Sequence, residues 1–582
     1  MYCAILVLVI FFVTICVGQI SPYPEVTIQQ GIIRGKYDTT INGRSYAAFI
    51  GIPYAQARVG KQKFKEPKAS KPWVGILFAT EKRPVCLQYD QFTNVMIGDE
   101  DCLYLDIYTP SVPVNAQTSR LLDVIVYING EGFTSSSGND FGPNYLLDRD
   151  VVFVTFNYRV GALGFLSTGD LIVPGNNGLK DQSAALRWVQ RNIAAFGGNP
   201  GSITLIGHGA GGASVHYHYL SPLSQGLFTR GISFSGTALC PWALMENGRE
   251  KAFQIGTNLG CNTLDSTLLL NCLRNRPAHQ ILQQSKQLTG WSNNPFAVFG
   301  PTVELGGKIP FITQEPYQIL KSGLFQQLPW ITSVTSEEGL FPGAEIISSP
   351  TSSQELDLYF DEILPHILDF NQTVEPELKQ DVCSDIRGFY FNNLFFTNAP
   401  SQNPTQVVKM LGDRHFVSCA EEAAKTHAEL SIAPVYFYYF SYKGSTSMSN
   451  MYTKNEYNIG VSHGDDVAYF LKSTYLNPEN SASDKEMMNR FLDFITSYAS
   501  FGIPRFTPNF VFAPVKPTLP ALQYINIKSP TEFVPEQSTN LGNSEFWFNL
   551  PLYEEVNLVK LEPMLVENTT PTVAAGGIKT EL

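Results

Sequence analysis

Ile203-Thr204-Leu205-Ile206-Gly207-His208-Gly209-Ala210-Gly211-Gly212 is an apolar, β-branched run that breaks into small residues. Its composition predicts a buried strand over Ser202–Ile206, a sharp turn, and a helix opening at Ala213-Ser214-Val215-His216. That frame is the one found around Gly-x-Ser-x-Gly. There, flanking glycines let the backbone bend between strand and helix and lift one side chain above the sheet. Here the glycines stand, but the lifted residue is Gly209, which has no side chain. A hydroxyl that could attack a carbonyl is missing from the place where such a turn would present it.

Outward from this turn, Leu122–Ile128 and Val151–Phe156 read as buried strands. Asp181 to Phe196 carries Ala184, Leu186, Val189 and Ile193 at helical spacing and stops at Gly197-Gly198-Asn199-Pro200. This alternation predicts an α/β chain with a central, mostly parallel twisted sheet and helices on both faces.

Of the 582 residues, 44% are hydrophobic and 16% charged, a balance that suits a large globular interior. The net charge of −12 argues against nucleic acid as a partner, because phosphate binding needs clustered Lys and Arg. Residues 1–18 read as a signal peptide, with an apolar stretch from Ala4 to Val17 and small Gly18 as a cleavage point. That stretch is short for a membrane span of about 18 residues, and no later stretch reads as an anchor. The expected organisation is a leader over 1–18, one domain over 19–555 and a flexible tail over 556–582. The tail ends Lys579-Thr580-Glu581-Leu582, one position from the Lys-Asp-Glu-Leu retention address. Secretion is expected, with retention in the endoplasmic reticulum as the alternative.

Export makes disulfides permissible. Outside the leader the cysteines are Cys86, Cys102, Cys240, Cys261, Cys272, Cys383 and Cys419. An odd number leaves at least one thiol free or shared between chains, and spacing leaves the connectivity open. Asn371-Gln372-Thr373 and Asn568-Thr569-Thr570 are glycosylation acceptor patterns.

From about Pro24 to about Leu552 the chain resembles the type-B carboxylesterase and cholinesterase family of α/β-hydrolases. The matching landmarks stand in order: Phe49-Ile50-Gly51-Ile52-Pro53-Tyr54-Ala55, Glu100-Asp101-Cys102-Leu103-Tyr104-Leu105-Asp106-Ile107-Tyr108 and Gly178-Leu179-Lys180-Asp181-Gln182. Phe196-Gly197-Gly198-Asn199-Pro200, the turn itself, Glu338-Gly339 and His463-Gly464-Asp465-Asp466 follow. Ala238-Leu239-Cys240-Pro241-Trp242 resembles insect members. The resemblance implies a gorge leading to a Ser–Glu–His triad, and bridges pairing Cys86 with Cys102 and Cys261 with Cys272. It places Glu338 and His463 at the acid and imidazole positions. Gly209 then stands at the nucleophile position, and no cofactor or metal is implied.

Ester hydrolysis needs a hydroxyl, an imidazole to take its proton and a carboxylate to orient the imidazole. Gly209 supplies none of these, and Ser214 lies too far along the helix to substitute. The oxyanion loop, a run of consecutive glycines in the family, is Asn129-Gly130-Glu131-Gly132-Phe133 here. Gly132 and Ala210 remain potential N–H donors, while Glu131 sets a carboxylate beside the place where negative charge would develop. His208 stands where the family usually has an acid. Glu131 is therefore expected to pair with His208 or His463 and raise that histidine's pKa, the alternative being that each residue is accommodated separately. His216 and His218 sit at the wrong spacing to share a helical face as metal ligands.

The leading expectation is a catalytically impaired or inactive carboxylesterase-like protein that binds a hydrophobic small molecule or ester, or a protein partner. The alternative is a slow ester hydrolase working without serine, through His463 and Glu338 or Glu131. An exported structural protein with no small ligand is the third reading.

Overall fold

The computed structural model describes residues 22–552 except 114–119, 136, 246, 292–295, 396–402 and 454–459. The leader, the tail with its terminal Lys579–Leu582, and Asn568 lie outside the described residues.

Strict alternation along the strands builds the core. Val124 and Val126 face one side of the sheet while Ile125 and Tyr127 face the other, and all four are buried. Val152 and Val154 against Val151 and Phe153 repeat the pattern. A strand apolar on both faces must be covered on both, which is why helices flank this sheet.

The sheet has eleven strands. In chain order they are β1 (Lys36–Thr39), β2 (Ser45–Pro53), β3 (Tyr104–Thr109), β4 (Leu122–Ile128), β5 (Val151–Phe156) and β6 (Gly198–His208). β7 (Arg230–Phe234), β8 (Trp330–Thr335), β9 (Val435–Phe440), β10 (Leu522–Ser529) and β11 (Glu532–Ser538) complete it. The spatial order is β11-β10-β9-β8-β7-β6-β4-β5-β3-β2-β1. Pairing is parallel from β5 through β4, β6, β7, β8 and β9 to β10, and antiparallel at both margins.

Helices α1 (Asn177–Asn192), α2 (Ala210–Leu220) and α3 (Ser418–Leu430) share one core with Val124, Val126, Ile203 and Leu205. Helix α4 (Ala482–Phe501) packs in the core of the opposite face. No described helix is long and apolar enough to cross a membrane.

β4 and β5 occupy the predicted residues, whereas β6 runs beyond Ser202–Ile206 at both ends. α1 starts at Asn177 rather than Asp181, and Ile193–Phe196 tightens into a 3₁₀ turn that stops at left-handed Gly197. Its early start is explained by Asp181, buried and clamped by Arg159 through two 2.7 Å contacts. That ion pair needs the first helical turn already in place.

Cys86–Cys102 and Cys261–Cys272 are bridged as the resemblance implies. A third bridge, Cys240–Cys419, joins the loop after β7 to α3 across 179 residues of sequence. Among the described residues Cys383 is the free thiol, buried, with burial and the Asp361 carboxylate pushing it up to about 12. Replacing both Cys240 and Cys419 by Ser is expected to lower folding stability by about 2–5 kcal/mol in urea denaturation. Cys383 is expected to resist a thiol reagent until the chain unfolds.

Candidate active site

The turn after β6 is shaped by how closely backbones approach there. A Cβ on Gly211 would lie 2.0 Å from the Ile128 carbonyl oxygen at the end of β4, far inside any tolerable contact. Helix α2 can therefore start directly against the sheet, and it does so at Ala210, ahead of the predicted Ala213. Gly209 N–H donates to the Phe234 carbonyl at 2.9 Å, pinning the bend to β7. Gly209 itself has φ +55° and ψ −119°, a conformation costly for a residue with a Cβ.

A Cβ built on Gly209 would point at His463, 3.1 Å from Nε2 and 3.7 Å from Cε1. The imidazole is thus aimed at the apex of the bend. Its Nδ1–H donates to Glu338 Oε2 at 2.7 Å, which leaves the Nε2 lone pair toward Gly209. Glu338 is held in turn by Ser235 Oγ–H and Thr335 N–H, each donating to Oε1 at 2.6 Å. Glu337 stitches the two loops together: its N–H donates to the Val461 carbonyl, and its carboxylate accepts from Val461 N–H at 2.8 Å. Sequence reading missed Ser235 and Glu337, which act across 103 and 124 residues that only the fold brings together, and Thr335, whose backbone N–H carries no side-chain signal.

Phe416 (ring centroids 4.4 Å apart) and Phe341 (5.4 Å) cover His463, and His208 lies against it at 4.2 Å. Burial pushes the His463 imidazolium down to about 3 and lifts the Glu338 carboxyl to about 7, partly offset by the bonds from Ser235 and Thr335. His208 is pushed well below its ordinary range, by burial first and by His463 second. Its Nε2 is buried and has no hydrogen-bond partner among the described residues.

The expected pairing of Glu131 with a histidine is not formed. Both histidines are pushed toward the neutral form, not the charged one. Glu131 is also not the expected anion. Burial first, then the Asp140 carboxylate, raises it to about 8, with Gln91 drawing it partly back. The shift favours the protonated carboxyl, on a residue that stays partly exposed.

Gly130 presses against the bend, since a Cβ there would lie 2.1 Å from the His208 carbonyl oxygen. The same Cβ would lie 2.8 Å from Ala210 N, and Gly132 follows with φ +58°, against Phe296. As the first residue of α2, Ala210 has an N–H with no acceptor inside the helix.

Ser214 is turned away, its Oγ accepting from Gln182 Nε2 at 3.0 Å. His218 lies between Ser224 and the same Gln182, and His216 Nδ1 accepts from Ala238 N–H at 3.2 Å. Asn371 is half-buried and its Oδ1 accepts from Lys379 Nζ at 3.1 Å.

A cavity of about 470 Å³ opens beside this site, lined among others by Glu131, Thr134, Phe296, Phe299, Phe341 and Tyr452. Phe341 lines this cavity and stacks on His463. A separate cavity of about 270 Å³ lies beyond Trp242, against the Cys240–Cys419 bridge.

A parallel-centred sheet flanked by helices, with a strand-to-helix bend facing a His–Glu pair, defines an α/β-hydrolase. The Carboxylesterase family profile matches residues 22–547, and the chain belongs to that family. It is 41% identical over 543 residues to Venom carboxylesterase-6 of Apis mellifera, covering 92% of this chain and 96% of that one. To Esterase FE4 of Myzus persicae it is 39% identical over 500 residues, covering 85% and 87%. The crystal structure of Juvenile Hormone Esterase from Manduca sexta, with OTFP covalently attached, matches with a TM-score of 0.78 at 26% identity. That match covers 91% of this chain and 99% of the moth protein.

In an NMR titration of the imidazole nitrogens, His208 and His463 are expected to stay neutral down to pH 5, His463 as the Nδ1–H tautomer. Unfolding exposes His208 to an ordinary pKa of 6.5, so the unfolded chain takes up a proton that the folded protein refuses. Stability should therefore fall as pH drops below about 6.5, by up to ~1.4 kcal/mol per pH unit relative to His208→Gln. Urea denaturation of both proteins at pH 7 and 5.5 reads that difference.

Proposed function

We propose that this carboxylesterase-family protein binds an uncharged, largely apolar small molecule of ester or ketone type without hydrolysing it. One observation carries the reading. His463 Nε2 lies 3.1 Å from where a Cβ on Gly209 would stand, so a base supported by Glu338 faces a residue with no nucleophilic atom. The aromatic cavity beside it favours a small ligand over a protein partner as the occupant. The disulfides suit an oxidising, extracytoplasmic compartment.

A second reading keeps hydrolysis: His463, still oriented by Glu338, would draw a proton from water in place of serine. The 2.7 Å His463–Glu338 bond favours it. Glu131 suits that role poorly at neutral pH, because a carboxyl raised to about 8 holds its proton.

The test is hydrolysis of p-nitrophenyl butyrate by the wild type, His463→Ala and Gly209→Ser. Under the binding reading the wild type matches buffer, and Gly209→Ser gains at least about a hundredfold together with labelling by a fluorophosphonate. That variant must push His463 back by a few tenths of an ångström and carries backbone strain of about 1–3 kcal/mol, so its rate should stay below that of an intact triad. Wild-type turnover that vanishes in His463→Ala would establish the second reading instead.

A further inference from the structure

We propose that Glu131 selects the ligand: its carboxyl group donates a hydrogen bond to the carbonyl oxygen of a neutral ester or ketone lodged in the aromatic cavity, and it excludes carboxylates. This deepens the binding reading above and rests on it.

The placement follows from the loop. Gly130 is locked against the bend, while Gly132 and Phe133 both take left-handed φ, +58° and +59°, turning the chain back into the core. The Glu131 carbonyl accepts from Thr134 N–H at 3.0 Å, closing that turn. Of residues 130–133, Glu131 alone lines the cavity, and it does so beside Phe296, Phe341 and Tyr452. A ligand among these rings meets the Glu131 side chain as part of the cavity wall.

The surroundings decide which form of the carboxyl a ligand meets. Tyr127 from β4, Tyr158 after β5, Tyr452 and Tyr475 all feel Glu131, and Asp140 faces it as the nearest anion. Asp90 and Glu345 line the same cavity and add to the negative field. Lys286 also lines it but is engaged by Asn94 and lies over the Tyr89 ring at 4.6 Å. Lys82 is spent on Asp106 at 2.9 Å. Among the described residues no cation acts on Glu131, and burial with Asp140 outweighs the Gln91 hydrogen bond, so the protonated carboxyl, which can donate, is favoured. An acceptor without charge completes that bond. A carboxylate ligand would face Asp90 and Glu345 as like charges in the lining, against Lys286 as the one cation among the described lining residues.

The test uses three ligands of one shape: 5-phenylpentan-2-one, 4-phenylbutanoate and pentylbenzene. Each displaces Nile red from the wild type, Glu131→Gln and Glu131→Leu at pH 6.5 and 9.5. In the wild type the ketone is expected to bind about tenfold more weakly at pH 9.5, while pentylbenzene is unchanged and 4-phenylbutanoate trails the ketone at least tenfold at both pH values. Glu131→Gln, which keeps an N–H donor, should bind the ketone without a pH step. Glu131→Leu should bind pentylbenzene as well as the wild type does and lose its preference for the ketone. A pH step that survives in Glu131→Gln, or ketone and hydrocarbon changing together, overturns the role of Glu131 and leaves ligand binding standing. If neither Nile red nor any neutral ligand binds, the binding reading falls and this inference falls with it.

Discussion

Everything at the candidate site depends on a contact between backbones that leaves no room for side chains. Gly211 meets the Ile128 carbonyl and Gly130 meets the His208 carbonyl, each closer than a Cβ could tolerate. This lets α2 begin against the end of β4 and sets the oxyanion loop beside the bend. A methyl group at either place would have to displace main chain, which a packed interior resists. The bend has therefore kept its form independently of what residue 209 carries, because the glycines around it answer to packing and not to chemistry.

Behind that bend the site is largely buried, and burial sets its electrostatics. His208 and His463 pack as tilted rings pushed toward the neutral form, and burial pushes Glu131, Glu338, Asp465 and Asp466 toward the protonated form. Charge is costly here unless a partner is built in. His463 has such a partner in Glu338, itself held by Ser235 and Thr335, whereas Glu131 has only the Gln91 side chain and the Asp140 carboxylate acting on it. A residue that reads in sequence as a misplaced anion is pushed toward its uncharged form once folded.

Much of this was legible in the residues. The β-branched runs of β4 and β5 lie where their patterns place them, because a strand buried on both faces leaves a local, unbroken signature. The glycine spacing around residue 209 announced the bend. Helix α2 was read as starting late because Gly211 and Gly212 are poor helix formers, a local preference that close packing overrides. The long-range partners left no local trace. Cys240 and Cys419 are separated by 179 residues, and Ser235 reaches Glu338 only because β7 and β8 are neighbours.

The amino-acid sequence by itself determined the α/β alternation, the bend, the absence of a side-chain nucleophile at Gly209 and the residue types left around it. Those are properties of composition and local spacing. The tertiary structure alone decided that His463 aims at Gly209, that Glu131 faces a cavity and not a histidine, and which groups lose their charge. Charge and hydrogen bonding depend on solvent exposure and on neighbours distant in the chain, and both exist only after the sheet has closed over the site.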